Sequence, residues 1–157
     1  MVVQQISQLM DEELRQTAQL RLILVEEQEA VKTKNIDAMN GTLTRKLEVL
    51  EKLEKLDTER KSLLQQAGYE SSKSGFESLL QTTASSDVLM EKWHELEQEM
   101  AECRELHQIN TQILEIGQRQ VQQVLGVLLG NQGEEVDTYD QTGSKNASLT
   151  THTYVKA

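Results

Sequence analysis

Apolar positions recur in steps of three and four along most of the chain, the spacing that sets side chains on one stripe of an α-helix. A first run, Ile6, Leu9, Met10, Leu14, Leu20, Leu24 and Val31, predicts a helix over about 3–34 that stops at Asn35. A second run, Ile36, Met39, Leu43, Leu47, Leu50 and Leu53, closed by Leu63 and Leu64, predicts a helix over 36–67 with Gly68 placed to end it. Glu48 and Lys52, and Glu51 and Lys55, stand one turn apart and support its solvated side. So short a connection makes the two helices antiparallel neighbours. Residues 68–86, rich in Gly, Ser and Thr, read as a loop around a short helix at 76–80.

The clearest pattern predicts a long helix over 87–129. Leu89, Trp93, Leu96, Met100, Cys103, His107, Asn110, Leu114, Gly117, Val121, Val124 and Leu128 follow an unbroken 4-3 step, a coiled-coil seam. A parallel line at Leu106, Ile109, Ile113 and Ile116 widens the face where His107, Asn110 and Gly117 make the seam polar. Past Gly130 the period disappears, and residues 131–157 read as a flexible tail. The expected fold is all-α: an elongated antiparallel three-helix bundle or coiled coil over 1–130, with one long C-terminal helix and a flexible tail.

Composition narrows the class further. The 157 residues hold no proline, few aromatics and 18 glutamines, a stock that opposes a β-sandwich or barrel. A net charge of −10 excludes a nucleic-acid backbone as partner, because no basic stripe exists to neutralise phosphates. The acid excess is uneven, with net −2 over residues 1–73 and net −8 over 74–157, so the two halves meet different surroundings. The longest apolar stretches fall far short of a membrane span, and no basic n-region or apolar h-region opens the chain. Together with the lone Cys103, this predicts a cytoplasmic protein without disulfides or membrane insertion.

Chemistry-bearing constellations are weak. Glu91 and His94 have the Glu-x-x-His spacing of di-metal bundles, but neither His107 nor His152 supplies a second copy. Cys103 and His107, one turn apart, offer two zinc ligands without a third or fourth of matching spacing. No nucleophile elbow or phosphate-cradling glycine loop occurs. Neither an enzyme nor a resident metal or cofactor is expected.

Helix lengths point to binding instead. The first two predicted helices span about 32 residues each and the last about 41, an excess of about 9 residues or roughly 13 Å. The excess end carries Val121, Val124, Leu125, Val127, Leu128 and Leu129, an apolar face without an internal partner. Such a face suits docking of another amphipathic helix. Self-association through it, as a structural coiled-coil subunit or homo-oligomer, is the alternative. Within the seam His107 and Asn110 form a polar interruption, and Asn110 has the character of a residue that sets register.

Trp93, the stretch Leu106-His107-Gln108-Ile109-Asn110, and Ile113-Leu114 resemble the tryptophan and Leu-Asn-x-x-Asn-x-x-Leu-Leu motif of the FlgN flagellar export chaperones. His107 stands where that family often has its first asparagine. Lys46, Leu50 and Leu53 are similar to the lysine-then-leucines pattern of its second helix, and Tyr139-Asp140-Gln141-Thr142-Gly143 resembles its Tyr-x-x-x-Gly tail element. The resemblance implies a cytoplasmic chaperone that grips the C-terminal helical segment of the hook–filament junction proteins FlgK and FlgL. It further implies delivery to the export gate protein FlhA, with Tyr139, Asp140 and Gly143 as the docking element.

Overall fold

A computed structural model describes residues 2–130 and contains four helices: α1 (Val2–Lys32), α2 (Ile36–Gln66), α3 (Lys73–Gln81) and α4 (Ser86–Leu128). The predicted tail lies outside the described residues. The chain divides into two compact units, Met1–Asn110 and Thr111–Ala157, with α4 contributing to each.

Helix ends follow local chemistry. At the end of α1, Lys34 takes a left-handed conformation (φ 55°), so the Asn35 N–H donates to the Ala30 carbonyl at 3.0 Å. This closes the carbonyls that the helix leaves open. Asn35 then caps α2, its side-chain oxygen accepting from the Ala38 N–H at 3.1 Å. One residue thus ends a helix and starts the next, which folds α2 back on α1. The same closure recurs at Gly68 (φ 85°), where the Tyr69 N–H donates to Leu64. Ser72 caps α3 through the Gly75 N–H. A Cβ at Gly75 would stand 2.1 Å from the Glu70 carbonyl oxygen, so only glycine admits this tight entry into α3. Helix α3 therefore begins three residues before the predicted one.

In the first unit α1, α2 and the start of α4 form an up-down-up bundle. Ion pairs Glu26–Arg45, Glu27–Lys46 and Glu13–Arg60 run in opposite chain directions and mark α1 and α2 as antiparallel. Contacts from Lys92 to Ser7, Cys103 to Thr17 and Asn110 to Leu24 keep a nearly constant sequence separation and mark α1 and α4 as parallel. Two clusters fill the interior. One gathers Ile6, Met10, Leu64, Leu89, Trp93 and Leu96 around Phe76, Leu79 and Leu80 of α3, with the Phe76 and Trp93 rings 4.5 Å apart. The other joins Leu20, Ile23, Leu24, Val49 and Cys103. The short helix thus plugs one end of the bundle, a role its size did not announce.

Two expectations about facing are corrected. On α2 the predicted stripe is only partly right: Met39, Leu53, Leu63 and Leu64 are half-buried or buried, but Ile36, Leu43, Leu47 (57% accessible) and Leu50 are exposed. The inward line is Thr42, Lys46, Val49, Leu53, Leu56, Arg60 and Leu64, which are buried or half-buried. Two cations lie on it because each meets a carboxylate of α1. Arg60 also spreads its guanidinium 5.2 Å from the Phe76 and Trp93 ring centres. On α4 the seven-residue series Leu89, Leu96, Cys103 and Asn110 is buried, and of the intervening series only Trp93 is. Met100 (42% accessible) and His107 are exposed. Lys92 on Asp11 and Glu99 on Arg21 clasp α4 to α1 and set this rotation.

Candidate interaction surface

Of the two predicted polar seam residues, the structure buries one. Asn110 is the last residue of the first unit, and its Nδ2 donates to the Leu24 carbonyl and to Glu27 Oε1, both at 2.9 Å. Glu27 Oε2 accepts in turn from Lys46 Nζ at 2.6 Å. An amide from α4, a carboxylate from α1 and an ammonium from α2 therefore form one buried polar layer across three helices. Reading the sequence singled out Asn110, placed Leu24 on a helical stripe and named Lys46 through the family resemblance, but it missed Glu27, which joins the layer. The available signal was the spacing Thr42, Lys46, Val49, Leu53, which places a lysine on a seam. His107 is exposed.

A second buried ionic site lies nearer α3. Glu13 is 4% accessible, with Oε1 3.5 Å from Arg60 Nε, and Arg60 also reaches Asp57 Oδ1 at 2.6 Å. Burial pushes the Glu13 carboxyl above the ordinary carboxylate range, and Arg60 opposes that shift. The buried Cys103 thiol donates to the Thr17 carbonyl, and burial, reinforced by Glu99, pushes it up to about 11. His94 pairs with Glu97 at 3.5 Å, and no cluster of three or more His, Cys, Asp or Glu side chains suited to a metal occurs among the described residues.

What the described part of the second unit presents is apolar surface. Val121, Val124, Leu125, Leu128 (74% accessible) and Leu129 are all exposed, as is Val127 at 80%. They stand on regular helix, whose bonding continues to the Leu129 N–H on the Leu125 carbonyl at 3.0 Å. No charged residue occurs between 120 and 130. Six large aliphatic side chains within nine residues, none of them buried, exceed the scattered exposure normal for a protein surface. The geometry suits apolar recognition. Tyr139, Asp140 and Gly143 lie outside the described residues. No helix of the described chain is long and apolar enough to cross a membrane.

Residues 1–147 match the protein-family model for FlgN protein. Among solved structures, the chain is similar to a flagella synthesis protein FlgN from Pseudomonas aeruginosa, with a TM-score of 0.64 and 21% identity. That likeness covers 69% of this chain and 85% of the other. No curated protein matches significantly.

Proposed function

The chain belongs to the FlgN family, and from that premise we propose that it is a cytoplasmic chaperone of flagellar type III export. It binds the C-terminal helical segments of the junction proteins FlgK and FlgL and hands them to the export gate FlhA. The observation that carries this reading is the uncovered aliphatic face at Val121, Val124, Leu125, Leu128 and Leu129. A helix end that leaves so much apolar area in water gains free energy from any complementary amphipathic helix, at about 25 cal/mol per Å² covered. Binding there would also shield the substrate's own apolar stripe from premature assembly. Tyr139, with Asp140 and Gly143, serves as the anchor for the gate, an aromatic in an acid-rich segment that favours a basic-rimmed pocket.

Calorimetry with the full chain and C-terminal segments of FlgK and FlgL tests the proposal. The parent should bind, and Leu125→Asp should bind at least about ten-fold more weakly with unchanged helicity, because a charge enters a desolvated contact. Tyr139→Ala should keep junction-protein affinity and lose affinity for FlhA. A parent that ignores both segments, or that forms a stable oligomer burying this face, overturns the proposal in favour of a self-assembling coiled coil.

A further inference from the structure

The width of the apolar face on α4 specifies more than its existence. At about 100° per residue, the six exposed aliphatic side chains fan around the helix in the order Val127, Val124, Leu128, Val121, Leu125, Leu129. From first to last they span an arc of about 200°. Contact with one neighbouring helix needs an apolar stripe of only about 100°. Accessibility is high at both rims of the arc, with Val127 at 80% and Leu129 at 50%, so neither rim is already covered. Between 121 and 129 the remaining face carries only Gln122, Gln123 and Gly126, which gives this stretch a polar back and a double-width front.

We infer that this end of α4 is gripped by two helices at once, a helix–turn–helix segment of the partner with uncharged inner faces, one arm on the Val127 side and the other on the Leu129 side. The inference rests on the chaperone reading for the identity of the partner. The absence of charge from 120 to 130 supplies the chemistry of both arms. A lysine or glutamate brought against this surface would lose hydration and meet no counter-charge. A single helix, including one copy of α4 from a second molecule, would cover half the arc and leave the other rim in water.

The test is a rim scan on the full chain. Val127→Asp and Leu129→Asp lie on opposite rims, and Leu125→Asp lies between them as the probe of binding itself. Each is titrated by calorimetry with the C-terminal segment of a junction protein, helicity being checked by circular dichroism and mass by light scattering. The expected result is loss of affinity by at least ten-fold in both rim variants, and less than two-fold change for the parent between low and high salt. Parental affinity in either rim variant, while Leu125→Asp is impaired, establishes a one-sided contact and overturns the inference alone. A ten-fold loss of parental affinity in high salt also overturns it, because the contact would then be ionic. Failure of the parent to bind any junction segment overturns the chaperone reading and this inference with it.

Discussion

Replacing Asn110 with alanine should destabilise the protein by about 3 kcal/mol. Its amide makes one bond to a neutral carbonyl, worth about 1 kcal/mol net, and one to an ionised carboxylate, worth about 1.5–3 kcal/mol. Both bonds are 2.9 Å long, and the side chain is 3% accessible, so water cannot replace them cheaply. Glu27 keeps Lys46, which limits the cost to these two bonds and a small void. Asn110→Asp separates hydrogen bonding from shape. It is isosteric, yet it removes both donors and sets a second carboxylate beside Glu27. At an effective dielectric of about 20, two such charges at about 3 Å repel by roughly 5 kcal/mol, so the variant relieves itself by taking up a proton. The folded-state pKa of the new acid is then raised. Its destabilisation is complete above that pKa and is lost as the pH falls through it. Urea unfolding followed by circular dichroism, at several pH values, measures both effects. A stability for Asn110→Ala within about 0.5 kcal/mol of the parent would refute the reasoning, as would a pH-independent deficit for Asn110→Asp.

Two further outcomes follow from burial. Leu96→Ala, at 2% accessibility in the larger cluster, should cost about 2–5 kcal/mol, whereas Met100→Ala on the same predicted seam should cost under about 1 kcal/mol. Thermal unfolding of the pair checks the rotation of α4, and equal losses would contradict it. Cys103, with its thiol pushed up to about 11 and buried against Thr17, should react with a thiol probe at pH 8 at least about a hundred-fold more slowly in the native protein than in denaturant. Equal labelling rates would mean that the second cluster is open to solvent.

Much of the architecture was legible in the sequence because helix formation and termination are local. Steps of three and four, the absence of proline, and Asn35 and Gly68 at the turns predict the three long helices to within about two residues at each end. Val121, Val124, Leu125, Leu128 and Leu129, read from the sequence as an apolar run near the end of the last helix, are exposed there. The short helix α3 was seen, but its function as the plug over Trp93 was not. That depends on a glycine tolerating the Glu70 carbonyl, which only the folded chain brings near.

What the tertiary structure alone decided is which face of α2 and α4 turns inward. Periodicity reads apolar residues as inward, so it placed Leu43, Leu47, Leu50 and Met100 on seams and gave no inward place to Lys46 or Arg60. The fold exposes those four and half-buries the two cations. A buried cation is costly by itself and acceptable once a carboxylate from another helix lies within reach, and Glu27 and Glu13 are such partners. Pairing of this kind links residues about 20 to 50 positions apart, beyond any local window. Asn110 shows both levels together. Its place on a seam was set by spacing along one helix, whereas its two hydrogen bonds depend on where α1 lies.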